Sequence, residues 1–229
     1  MFGKNKKEKS ITSRDGRDLE VNSMFHTIQG EGPFAGERAF FIRLAGCNLA
    51  CSWCDTEFEK RTLTPTGQIL AEAELSTAPK GLIVITGGEP LRQNITPLCI
   101  LLLARGYRVQ IETAGTLWPP MLPVEHDNLT IVCCPKTPKV HHEIERHCNH
   151  WKYVIQAGEQ DPETLLPKSC PTGAKGKPFV PKHAHRIYVM PCDEKHPTIN
   201  QANIQAMVKA ALTHGYRAGL QLHKYMEVE

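Results

Sequence analysis

A chain of 229 residues, 41% hydrophobic and 22% charged, has enough apolar content to bury one sizeable core, so a single domain is the default expectation. The formal net charge is +3, and Lys4, Lys6, Lys7 and Lys9 less Glu8 account for all of it, which leaves a near-neutral body without the broad basic footprint of a nucleic-acid binder. No apolar run approaches the roughly 20 residues of a membrane span, and no apolar signal region follows the first lysines, so the expectation is a soluble, cytoplasmic protein with no membrane partner.

In chain order, residues 1–18 read as a flexible basic tail and 19–229 as one domain. Segments rich in β-branched and aromatic residues recur at Leu19 to Phe25, Phe40 to Ala45, Leu82 to Ile85, Arg108 to Thr113, Leu129 to Val132, Lys152 to Ile155, Arg186 to Met190 and Ala218 to Leu222. Mostly bounded by Gly, Pro, Asn or Asp, they predict strands. Helical patterns lie between several of them. Leu98 to Ala104 is an apolar run stopped by Arg105-Gly106, and Ile204, Met207, Val208, Ala211 and Leu212 repeat on one face before Gly215. Alternating strand and helix imply parallel β/α units. About six follow a first hairpin-like segment, fewer than the eight of a closed barrel. The expected fold is therefore α/β, a partial, open barrel. Leu117 to Asn128, with three prolines, and Pro167 to His185, rich in Lys, Pro and Gly, read as surface insertions.

Nine cysteines, an odd number with no secretory signal, favour reduced thiols and metal ligation over disulfides. Most of the cysteines beyond residue 54 are expected to pack as small hydrophobes, as Cys99 does in the apolar run Leu98 to Leu103. Cys47, Cys51 and Cys54 differ. They sit in one loop after a strand, with spacers of three and two residues and no fourth cysteine nearby. An iron-sulfur cluster normally takes four cysteines. Three thiolates therefore suit a cluster with one iron left for an exogenous ligand. The strand Leu82 to Ile85 ends in Thr86-Gly87-Gly88-Glu89-Pro90, where glycines permit close approach of a ligand and a carboxylate can meet an ammonium group.

These two motifs resemble the radical S-adenosylmethionine (SAM) superfamily. More closely, Ser23 to Pro33, Phe40 to Thr56, Thr86 to Pro90, Glu112 to Gly115, Pro135-Lys136 and His223-Lys224-Tyr225 resemble the 7-carboxy-7-deazaguanine synthase family. The resemblance implies a 4Fe-4S cluster on the three cysteines, SAM as cofactor, and conversion of 6-carboxy-5,6,7,8-tetrahydropterin to 7-carboxy-7-deazaguanine with loss of ammonia, in queuosine and 7-deazapurine biosynthesis. It also implies an external electron donor such as flavodoxin or ferredoxin, and a homodimer. It assigns SAM to Gly88, Glu89, Cys134, Pro135, Lys136, Met190, Pro191, Cys192 and Asp193. The pterin falls to Ile28, Gln29, Gly30, Arg43 and Thr86, with the terminal carboxylate of Glu229 in place of the family's usual proline. Thr56 would ligate Mg²⁺, which meets the substrate carboxylate in this family.

Two other readings stand beside it. A glycyl-radical-enzyme activase would share the cluster loop and the small size. A non-enzymatic zinc module would need a fourth ligand from Cys133-Cys134 or from His141, His142, His147 and His150. Those histidines otherwise read as a solvated helix face.

Overall fold

The computed structural model describes residues 6–76, 80–182 and 186–228. Nine strands form one sheet: β1 (Asp18–Ile28), β2 (Arg38–Leu44), β3 (Thr62–Pro65), β4 (Leu82–Gly87), β5 (Arg108–Thr113), β6 (Leu129–Cys133), β7 (His150–Ile155), β8 (Ile187–Pro191) and β9 (Arg217–Ala218). Their order is β3-β1-β2-β4-β5-β6-β7-β8-β9. β1 is antiparallel to both its neighbours, and every pairing from β2 through β9 is parallel. The parallel run β2, β4, β5, β6, β7 and β8 supplies the six expected units of a partial barrel.

Helices α1 (Thr66–Ser76), α2 (Thr96–Ala104), α3 (His142–His147) and α4 (Pro197–His214) lie in four of the connections, and a short α5 (Leu222–Tyr225) follows β9. The β5–β6 and β7–β8 connections contain no helix among the described residues. They are the two stretches whose prolines and glycines mark insertions. Gly215 ends α4 in the left-handed conformation at φ 71°, where a Cβ is unfavourable.

Strand periodicity sorts side chains onto two faces. Ile42, Leu44, Ile83, Ile85, Val109, Ile111, Ile131, Tyr153 and Val189 join Leu98, Leu102, Met207 and Ala210 of the helices in one buried core. The alternate residues Arg43, Thr86, Gln110, Glu112 and Lys152 are polar. A sheet buried on both faces should read as an unbroken apolar run. Polar alternates therefore mark the second face as the wall of a cavity. A small cluster of Ala39, Leu82 and Val84, flanked by Phe34 and Phe41, packs near the N-terminal ends of β2 and β4.

The structure departs from the sequence reading in four places. β3 and α1 were not expected, because Pro65 and Gly67 interrupt the pattern there. The strand expected at 218–222 is only two residues long, and α5 begins at Leu222. Of the four histidines assigned to a solvated helix face, only His142 and His147 lie in α3; His141 caps it by accepting from the Glu143 amide, and His150 opens β7. Burial, with Arg217 and Arg186 nearby, pushes the half-buried His150 down to about 4. Last, the described part of the basic tail is docked. The Glu8 amide donates to the Cys47 carbonyl at 2.8 Å and the Ile11 amide to the Arg92 carbonyl at 2.8 Å. Glu8 also pairs with Arg61 and Arg92, and Glu20 with Arg14, Arg61 and Arg92. Arg92 is almost completely buried, so carboxylates must accompany it.

Candidate functional site: a three-thiol cradle over a polar barrel interior

Loops at the C-terminal ends of the parallel strands and the polar inner face together line a cavity of about 690 Å³. In open α/β sheets this end is where ligands bind. Cys47, Cys51 and Cys54 all line it. The turn that delivers them needs Gly46, at φ 78°, because a Cβ there would lie 2.6 Å from the Arg92 guanidinium. A Cβ on Gly88 would lie 2.3 Å from the Gly46 carbonyl oxygen, so the ends of β2 and β4 meet backbone against backbone. Trp53 is held over the cavity by Lys136, whose Nζ sits 4.1 Å from the ring centroid.

Burial pushes the Cys47 thiol up to about 12 and the Cys51 thiol up to about 11. Neither is a thiolate on its own account. Iron binding would displace these protons, as metals do from coordinating thiols. The donor set fits a cluster, since the loop brings three cysteines to one cavity, with Asp55 following the last of them. Among the described residues no three His, Cys, Asp or Glu side chains, those of the cysteine loop included, are already gathered as a metal-ligand set. Of the Cys133-Cys134 pair suggested as a source of a fourth zinc ligand, Cys133 is fully buried in the core and Cys134 lines the cavity.

Of the positions assigned to SAM, Gly88, Cys134, Lys136, Met190, Pro191, Cys192 and Asp193 line the cavity. Cys134 Sγ accepts from Lys136 Nζ at 2.9 Å. Pro135 lines a smaller adjoining cavity of about 120 Å³. Glu89 lies behind the wall, fully buried. Its Oε1 accepts from the Leu91 amide at 3.0 Å and the Thr113 hydroxyl at 2.7 Å, and its Oε2 from the Ala114 amide at 2.7 Å. A carboxylate has about four lone-pair directions, so three are committed to the protein. Burial pushes this carboxyl up, opposed by those three hydrogen bonds.

Of the positions assigned to the pterin, Ile28, Gln29, Arg43 and Thr86 line the cavity. Arg43 lies over the Phe25 ring, 5.4 Å from its centroid, and pairs with no carboxylate among the described residues. Gly30 lies against His223, whose Nδ1 would be 2.1 Å from a Cβ there. Glu229 lies outside the described residues. Thr56 lines the cavity and its hydroxyl donates to Asp55 Oδ1 at 3.2 Å.

Sequence reasoning gave no site role to the charged group on the barrel's inner face. Lys152 pairs with Glu31 and lies 3.7 Å from Glu112 Oε2. Glu112 accepts from Gln29 at 3.0 Å and Gln110 at 2.9 Å, and Glu31 from Gln221 at 2.7 Å. Despite burial, the Lys152 ammonium holds Glu31 well below the usual carboxylate range. Lys224 closes the same end, donating to Asp193 at 2.9 Å and lying 3.8 Å from Asp55. A lysine in the midst of the apolar strand Trp151 to Ile155 was the signal available for this group.

The Radical SAM superfamily model matches residues 41–125. The chain is 41% identical over 239 residues to 7-carboxy-7-deazaguanine synthase of Rhodospirillum rubrum, with 100% of both chains covered. It is also 41% identical over 242 residues to the synthase of Rickettsia prowazekii, covering 100% of this chain and 96% of that one. The crystal structure of QueE from Escherichia coli superposes with a TM-score of 0.66 at 25% identity, covering 89% of this chain and 93% of the other. Neither the activase nor the zinc module is favoured by these relationships. With the cysteine loop, the glycine-rich strand end and full-length similarity in agreement, the chain belongs to the 7-carboxy-7-deazaguanine synthase family of radical SAM enzymes.

Proposed function

We propose that the protein contracts the ring of 6-carboxy-5,6,7,8-tetrahydropterin to give 7-carboxy-7-deazaguanine and ammonia. The observation that carries this reading is one cavity lined both by three thiols and by Gln29, Glu31, Glu112 and Arg43. A 4Fe-4S cluster and SAM, when bound, would supply radical hydrogen-abstraction chemistry. The protein's part is to hold and orient the pterin. Glu31 and Glu112 are acceptors suited to the N–H groups of a 2-aminopyrimidinone edge, and Gln29 offers an amide beside them. Arg43 is a cation suited to the substrate carboxylate, which a guanidinium can grip through two parallel hydrogen bonds.

Thr56 offers an oxygen to Mg²⁺, which takes few protein ligands and keeps several waters. Cys47, Cys51 and Cys54 would hold the cluster, while Gly88, Cys134, Lys136 and the Met190 to Asp193 strand end would face SAM. An external flavodoxin or ferredoxin delivers the electron, and the working form is a homodimer in the cytoplasm. The nine free cysteines accord with a reducing compartment.

Anaerobic incubation of reconstituted protein with SAM, reductant and the carboxytetrahydropterin tests the reading. Mass spectrometry should show 7-carboxy-7-deazaguanine formed over many turnovers with SAM recovered intact. Stoichiometric loss of SAM without a deazapurine product would refute it.

A further inference from the structure

The inner-face charges hold a feature that ligand contacts alone do not explain. Lys152 Nζ sits between two carboxylates, and the Lys152, Glu31 and Glu112 side chains are only 10%, 14% and 18% exposed. All three line the cavity. A bridge that served stability alone would gain little, since buried ion pairs are often no better than apolar side chains of similar volume. Neutral donors are also arranged around the pair. Thr86 Oγ1 donates to Glu112 Oε2 at 3.4 Å, beside the bonds from Gln29 and Gln110. Gln110 turns its amide nitrogen to Glu112 and leaves its own buried Oε1 without a partner. An unsatisfied buried acceptor costs about 1–3 kcal/mol. The site bears that cost in giving Glu112 a further donor.

We infer that Lys152 is a positioning residue that keeps Glu31 and Glu112 paired as acceptors for the N–H edge of the pterin. The inference rests on the substrate reading above. Two carboxylates this close in a shielded cavity do not both stay ionised without a cation between them. Other charges face the group from each side: His223 and Lys224 from α5, Asp55 from the cysteine loop, Cys134 from the end of β6 and Arg43 from β2. Lys224 is engaged by Asp193 and Asp55, and among the described residues Lys152 alone of these cations forms an ion pair with Glu31 or Glu112. Without Lys152 one carboxyl takes up a proton and becomes a donor where the pterin needs an acceptor.

The test is anaerobic equilibrium dialysis of 6-carboxypterin against cluster-loaded protein with SAM, between about pH 6.5 and pH 8.5, a window in which ordinary carboxylates are ionised. Wild type and Lys152→Arg should bind with the same shallow pH profile. Lys152→Met should bind about tenfold more weakly at the acid end than at the alkaline end, the span of one pH unit in a titrating group. Glu31→Gln in the Met background should remove that pH dependence while binding stays weak. His223 lies in the field of Glu31 and Glu112, so the same profiles are taken in a His223→Gln background, and a difference that persists there reports the carboxylates. A Met variant that follows wild type at every pH overturns the inference. No binding by wild type at any pH overturns the substrate reading and the inference with it. If the Met variant fails to fold, the double variant decides, because it removes the two facing charges and leaves only Glu112, which Gln29, Thr86 and Gln110 still hold: weak, pH-independent binding supports the inference and wild-type affinity overturns it.

Discussion

The Glu89 carboxylate accepts the Ala114 amide hydrogen at 2.7 Å, which ties the end of β4 to the end of β5 across the cavity wall. Thr113 and Leu91 donate to the same group. Glu89→Gln places an amide nitrogen against one of these donors. We expect a loss of about 1–3 kcal/mol of stability, the cost of a buried group left without its partner. Thermal unfolding reads this directly. SAM affinity should fall as well, because the adjoining Gly88 wall shifts; unchanged melting and SAM binding together would show the linkage to be unimportant.

Cys47→Ala, Cys51→Ala and Cys54→Ala should each abolish the cluster. With one thiol gone, a cluster already short of a fourth cysteine lacks two protein ligands. Iron and labile sulfide analysis after anaerobic reconstitution checks this, and full occupancy in all three variants contradicts it. Cys99→Ala, by contrast, should retain iron and lose only packing stability.

Arg43 stacks on Phe25 and carries a charge that no described carboxylate neutralises. Arg43→Met should raise KM for the carboxypterin about ten- to a hundredfold, the equivalent of a charge-assisted hydrogen bond worth about 1.5–3 kcal/mol. SAM affinity should stay level. A rise in both constants would mean instead that the wall itself had moved.

Thr56→Val keeps the shape of the side chain and removes its oxygen. Turnover should lose its stimulation by magnesium while cluster content and SAM binding persist, because Mg²⁺ takes only oxygen ligands of hard character. If the variant responds to added magnesium as the parent does, Asp55 is the next oxygen to examine.

Asp193 gives a pH prediction. The hydrogen bond from Lys224, with others from the Lys195 amide and Asn200, holds its carboxyl down to about 2 from 3.8. A depressed acid stabilises the fold fully above its unfolded value and loses that contribution as pH falls through the folded one. The fastening of α5 should therefore weaken between 3.8 and about 2. Both partners are part exposed, so salt should reduce the effect. Hydrogen exchange across 222–226, corrected for its intrinsic pH dependence, should rise in that window, and Lys224→Ala should raise it already at neutral pH.

Much of the fold was legible because its signals are local. Strands such as Leu82 to Ile85 are apolar runs closed by glycines, and α4 shows its helical period and its Gly215 stop in sequence. The cysteine loop was legible for the same reason: its ligands sit within eight residues. What escaped was assembled from a distance. Glu112 and Lys152 lie on β5 and β7 and Glu31 in the turn after β1, and only the sheet order and that turn bring them together. Gln221 reaches Glu31 from the other end of the chain. The docking of residues 7–11 was hidden too, since lysines in a row look solvated until backbone pairing with Cys47 and Arg92 is seen.

That docking bears on how the protein should be handled. The segment around Lys7 abuts the cysteine loop, and the segment around His223 abuts Gly30, so chain added or trimmed near either region works at the mouth of the reaction chamber. Affinity tags and fluorescent labels placed there would compete with these contacts. The Pro-, Gly- and Lys-rich connection between β7 and β8 is the better place for a reporter, particularly around Gly173, where a Cβ would meet open space. Its bond to the cysteine loop, the Ser52 amide on the Pro171 carbonyl at 2.9 Å, should be left intact.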